Sequence, residues 1–216
     1  VTRIAYRLAL GLVSVALSGC GSALPERFYT LSAEGPGDAS AAPAGNPLPL
    51  QDESVAISAV TIPATLDRPQ MVRFVGDGRI ELSEQQRWGE PLAHGIARTL
   101  AEDVQKRLGA RLVAAYPQEV SAHARYRITV DFTHLDARSG DVLLDAIWSV
   151  RDTHAVAPQA ASAAVSATLA ESGRTVLTEP FARSGPDAEV LAQSAALARL
   201  SDALAAAVKS LAGAHP

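Results

Sequence analysis

One residue stands where covalent chemistry is expected. Cys20 is the chain's single cysteine and directly follows Leu17-Ser18-Gly19. Small side chains before a cysteine are what lipoprotein processing requires, because they fit the peptidase's narrow site and leave the thiol to take a diacylglycerol. Ahead of them lie Arg3, Arg7 and an apolar run from Leu8 to Leu17, the layout of a secretory signal. That run is too short to cross a hydrocarbon core, which needs roughly 20 helical residues. The expectation is a lipoprotein signal peptide over residues 1–19, with Cys20 carrying a covalent diacylglycerol and an N-acyl chain such as palmitate. At about 0.8 kcal/mol per buried methylene, three chains anchor far more firmly than one. Gly21 and Ser22 follow the cysteine, where an Asp would favour retention at the inner membrane. The expected location is the periplasmic face of the outer membrane.

The remaining residues offer little for catalysis. His94 stands four residues after Glu90, and His123, His134, His154 and His215 are scattered. No HExxH pair offers two imidazoles on one helical face to zinc. Neither a GxSxG elbow nor a glycine-rich phosphate loop is present. Glu90 and His94 fit a surface ion pair better than a ligand set. We expect no catalytic residue, no metal and no cofactor beyond the lipid. The 19 Lys and Arg against 23 Asp and Glu, a net charge of -4, are interspersed, so the basic stripe that nucleic-acid binding needs is missing. With Cys20 acylated no disulfide can form, and packing alone must stabilise the fold even in an oxidising compartment.

Two short runs concentrate unusual surface chemistry: Thr65-Leu66-Asp67-Arg68-Pro69-Gln70-Met71-Val72 and Arg87-Trp88-Gly89-Glu90-Pro91-Leu92. Asp67, Arg68, Arg87, Trp88 and Glu90 are the candidate partner-binding residues, expected on an exposed loop and a helix entry. For Trp88 itself, a helix-entry cap packed on the sheet is favoured over a partner contact.

These residues need elements to position them. Arg27 to Leu31 reads as a short first strand, followed over residues 33–50 by a flexible segment rich in Pro, Gly and Ala. Val55, Ile57 and Ala59 alternate up to Pro63. Met71–Val75 and Arg79–Ser83 flank Gly76-Asp77-Gly78, a hairpin signal. From about Trp88 to Leu108, apolar residues recur every four positions at Leu92, Ile96, Leu100, Val104 and Leu108, and Gly109 suits a helix C-terminus. Arg111 to Tyr116 reads as a strand. Tyr126, Ile128, Val130 and Phe132, then Val142, Leu144, Ala146, Trp148 and Val150, form the inward faces of a hairpin. Two further strands, Ala161 to Glu171 and Arg174 to Phe181, are expected with Ser172-Gly173 as their turn. Beyond Pro186 and a capping Asp187, Val190, Leu197, Leu204 and Leu211 mark a long helix for which packing on the sheet is favoured over a coiled coil. The expected fold is α+β: a mixed, largely antiparallel sheet with two main helices on one face. After the signal, residues 20–216 should form a single domain of ordinary size.

In this order, the segment ending in Cys20, Arg27–Leu31, the runs at 66–72 and 87–92, Ala146-Ile147-Trp148 and the alanine-rich last helix with Leu200-Ser201 resemble the ABC-type transport auxiliary lipoproteins, the PqiC-like family. One departure is Gly89, where such proteins often carry alanine. The resemblance implies a non-catalytic periplasmic subunit working with MCE-domain and permease subunits of a lipid-transport system, supporting membrane integrity. It also implies a homo-oligomer. An outer-membrane assembly or pilotin-like lipoprotein binding another envelope protein is the alternative, and a lipid-anchored hydrolase would require a polar cluster built from distant residues.

Overall fold

A computed structural model describes residues 25–33, 50, 53–76, 78–110, 112–154, 170–181 and 185–213. The signal peptide, Cys20, most of the 33–50 segment, His215 and residues 161–169 lie outside the described residues.

Among the described residues, eight strands form one mixed sheet: β1 Arg27–Tyr29, β2 Ser54–Thr61, β3 Gln70–Gly76, β4 Arg79–Trp88, β5 Leu112–Ala115, β6 Tyr126–Ala137, β7 Asp141–Asp152 and β8 Ala170–Pro180. The helices are α1, Leu92–Leu108, and α2, Pro186–Gly213, with a short 3-10 turn at Glu119–His123. The architecture is the expected α+β layer. Its long ladders, β6 with β7 and β7 with β8, are antiparallel, and β3 pairs antiparallel with β4. β1 with β4, β2 with β5, and β6 with both β2 and β3 run parallel. One edge of β6 takes β2 along its first half and β3 only at Ala137, so this strand joins two smaller sheets.

The β3–β4 hairpin turns where expected, with Gly76 and Gly78 at φ 92° and 72°, a conformation cheap only for glycine. In β6, Tyr126, Ile128, Val130 and Phe132 are buried, as are Val142, Leu144, Ala146, Trp148 and Val150 of β7. In β2 the alternation breaks. Ile57 pairs with Ile128 but Ala59 with Thr129, so Ser58 is an extra residue. Such a bulge re-aims the remainder of its strand, and Ala59, expected inside, is exposed.

Helix α1 buries the expected stripe of Leu92, Ile96, Leu100, Val104 and Leu108. It ends at Gly109, whose φ is 62° and whose N–H donates to Gln105 O. Lys106 and Arg107 lie in its last turn, near the negative end of its dipole. In α2, Val190, Leu197, Leu204 and Leu211 are all buried within the domain, which resolves the heptad spacing in favour of packing on the sheet. Asp187 is not the cap. It lies in the first turn, and Glu189 N–H donates to Gly185 O one turn back.

Ser172-Gly173, expected as a turn, lies within a strand. Among the described residues β8 runs unbroken from Ala170 to Pro180, with Gly173 opposite Trp148. A Cβ on Gly173 would stand 2.5 Å from Trp148 Cζ2. The glycine is there to admit an indole, and the strand does not turn.

Candidate functional site

The 65–72 and 87–92 runs meet. Pro63 O accepts from Leu66 N–H and Leu66 O from Arg68 N–H, which curls residues 63–69 into a tight loop around the buried Leu66. Trp88 N–H then donates to Pro69 O at 2.7 Å and joins the loop to the end of β4. The result is a hollow of about 370 Å³ lined by Asp67, Arg68, Pro69, Trp88, Gly89, Glu90, Pro91 and Leu92. Two prolines, Leu92 and the indole give it apolar walls, and Asp67, Arg68 and Glu90 give it charged groups of both signs. A concave, mainly apolar surface with a few placed charges suits binding.

Of the five candidates, Asp67, Arg68, Trp88 and Glu90 line this hollow. Arg87 does not. In strand alternation it points away from Trp88, and its guanidinium pairs with Glu26 at 3.2 Å. The expectation that Trp88 is exposed at a helix entry is corrected: β4 continues to Trp88, α1 begins at Leu92, and the indole is only 8% exposed. Trp88 pairs in register with Tyr29 and packs in the core, which is the favoured sheet-packed reading, at a strand end and not at a helix entry. Asp67 is exposed, and Arg68, Arg87 and Glu90 are half-buried. The Nε atoms of Arg68 and Arg87 are shut from solvent without a hydrogen-bond partner.

Arg98 was not singled out from sequence, and it organises one wall. Its guanidinium donates to Glu90 Oε1 at 2.8 Å, to Glu102 Oε1 at 3.1 Å and to Leu31 O at 2.8 Å. The Glu90 hydrogen bond is the main cause that raises the Arg98 pKa above its ordinary value. Glu90 is thus held by Arg98, two turns into α1, and not by His94. Arg98 and Glu102 four positions apart was the available signal; Glu90, outside the helix, gave none. The segment after β1 is fixed between the helices, because Ser32 N–H also donates to Ser194 Oγ of α2. Gly89 precedes α1, so helix propensity does not bear on it. Its N–H donates to Tyr29 O, and a Cβ there would stand 3.2 Å from Thr30 Cγ2.

Elsewhere, two arginines pair with buried carboxylates within the fold. Arg174 donates two hydrogen bonds to Asp145, at 2.8 and 2.6 Å, and this holds the Asp145 carboxyl below the usual carboxylate range. Arg125 bonds Asp152 and Glu53 and lies 5.0 Å from the Tyr126 ring centroid. Among the described residues there is no group of three or more His, Cys, Asp or Glu that could hold a metal ion, and no helix is long and apolar enough to cross a membrane.

The fold is shared with solved structures. A crystal structure of an uncharacterized protein superposes with a TM-score of 0.62 at 16% identity, over 86% of this chain and 99% of that one. A Xanthomonas campestris protein of the DUF330 family superposes with a TM-score of 0.59 at 12% identity, over 87% and 96%. No curated protein matches the sequence. The fold class is therefore a mixed-sheet α+β domain. Residues 29–205 match the family described as the ABC-type transport auxiliary lipoprotein component, and the chain belongs to that family. It is an auxiliary lipoprotein of an ABC-type transport system.

Proposed function

We propose that this lipoprotein is a non-catalytic accessory subunit of an MCE-domain lipid-transport system that supports outer-membrane integrity. It is held at the periplasmic face of the outer membrane by acylated Cys20. In this reading residues 20–216 fold as one domain, and the hollow at Trp88 docks an MCE-domain or permease subunit through Asp67, Arg68 and Glu90. Arg87 braces the rim through Glu26. The observation that carries the reading is the convergence of the two runs on one hollow, joined by the Trp88 N–H to Pro69 O bond. Its rigid backbone framing suits recognition, where shape must be held in advance.

The test is purification of the acylated protein from native membranes with its partners. Wild type should retain an MCE-domain or permease subunit, and the double variant Asp67→Arg with Arg68→Glu should lose it while folding normally. Retention by the variant refutes the docking assignment. Recovery of only an unrelated outer-membrane protein would favour the assembly-factor alternative. Native mass spectrometry of the same material tests the homo-oligomer that the family resemblance implies.

A further inference from the structure

Phe28 is a large apolar side chain left in solvent. It is 64% exposed on β1, whereas its neighbour Tyr29 is half-buried beside Trp88. Side chains alternate along a strand, so Phe28 stands on the face away from that core, across from Arg87. Arg87, across from the ring, is paired with Glu26, and the exposed Arg27 precedes Phe28 on the same three-residue edge strand. An exposed aromatic ring and an exposed arginine on successive residues of a short edge strand match the boundary between acyl chains and headgroups: the ring enters the apolar edge and the long arginine arm reaches phosphate.

Other exposed apolar side chains exist, notably Tyr116 at 60% and Val176 at 58%. The distance from the anchor separates them. Phe28 lies eight residues after Cys20, a stretch that spans at most about 28 Å when fully extended. Tyr116 follows β5, which joins the first half of β6 through β2, whereas β1 reaches β6 through β4 and β3 at its far end, Ala137, so the two lie apart along the length of β6. Val176 lies on β8, beyond β7 on the other side of β6. Of the three positions, Phe28 is the one nearest the anchor along the chain.

We propose that β1 is the membrane-facing edge of the protein, with Phe28 seated in the headgroup region of the phospholipid surface that holds Cys20. The proposal rests on acylation of Cys20. It also places the Trp88 hollow, one register position from Phe28 through Tyr29, close to the membrane surface, so a partner must reach it there.

Once Cys20 is acylated the chain has no free thiol, so a single introduced cysteine can carry a nitroxide label. Acylated Phe28→Cys, Tyr116→Cys and Val176→Cys proteins are placed in phosphatidylethanolamine–phosphatidylglycerol vesicles. Each label is then relaxed by lipid-soluble oxygen and by a water-soluble nickel complex. The expected result is oxygen-dominated relaxation at position 28 and nickel-dominated relaxation at 116 and 176. Nickel-dominated relaxation at 28, or the same ratio at all three positions, in protein shown by mass spectrometry to be acylated, overturns the membrane-facing edge and leaves the anchor intact. Absence of acyl mass on Cys20 overturns both.

Discussion

The two tryptophans, each 8% exposed, serve different purposes. Trp148 lies in the long β6–β7–β8 ladder, its ring over Gly173 and its Nε1–H donating to Thr175 Oγ1 at 3.0 Å. Its polar atom is satisfied and a neighbouring glycine is shaped to it. Trp88 ends β4, next to Gly89, and forms one wall of an open hollow. Burial alone does not distinguish a structural indole from a binding wall. What distinguishes them is whether the surroundings close over the ring.

The comparison is most sharply tested in the closed region. Trp148→Ala should destabilise the domain by about 3–5 kcal/mol in urea unfolding, the range for deleting a buried aromatic ring. Gly173→Ala should cost about 1–3 kcal/mol through overpacking. Trp148→Leu in the same chain should recover part of that loss, because the clash is with the ring and the two sites couple directly. Additive losses would mean that Gly173 is not there for Trp148.

On the other face of the same ladder, the effect depends on pH. Asp145 is buried and its carboxyl is held below the usual range by Arg174. Its folded pKa is depressed, so the pair's contribution is fully present above the unfolded aspartate pKa and is lost as pH falls through the folded value. Urea midpoints of Asp145→Asn should therefore lie below wild type at neutral pH and converge with it in acid. A constant offset across that range would contradict the assignment.

The open region should respond weakly in stability and strongly in binding. Arg98→Ala removes a half-exposed pair with Glu90, worth about 0–1 kcal/mol. Asp67→Arg or Arg68→Glu should change stability by no more than about 0.5 kcal/mol yet abolish partner retention. A large stability loss at Asp67 would make the loop a structural device and erase the contrast with Trp148.

Much of this was legible from local patterns. The alternation from Val142 to Val150, the four-residue stripe of α1 and the glycines at 76 and 78 each act within one element, and each is found as expected. Features set by distant neighbours were not legible. Ser172-Gly173 looks like a turn until Trp148, on another strand, is seen to need the space. Trp88 looks like a helix entry because Ser83–Gln86 leave the β3 register, Val72 pairing with Leu82 and Gln70 with Arg87, and such a segment carries no alternation. The parallel pairings of β2 with β5 and β6 follow from the crossover through α1, which no single strand announces. At the site, the two runs were visible as chemistry. Their meeting, and the role of Arg98, required the fold.

The most direct test of the account is in-cell photo-crosslinking from a benzoylphenylalanine placed at Asp67, on the exposed rim of the hollow, with mass spectrometry of the adducts. The account predicts capture of an MCE-domain or permease subunit from position 67 and none from position 176 on β8. Equal capture from both positions, or no transport subunit from position 67, would contradict it.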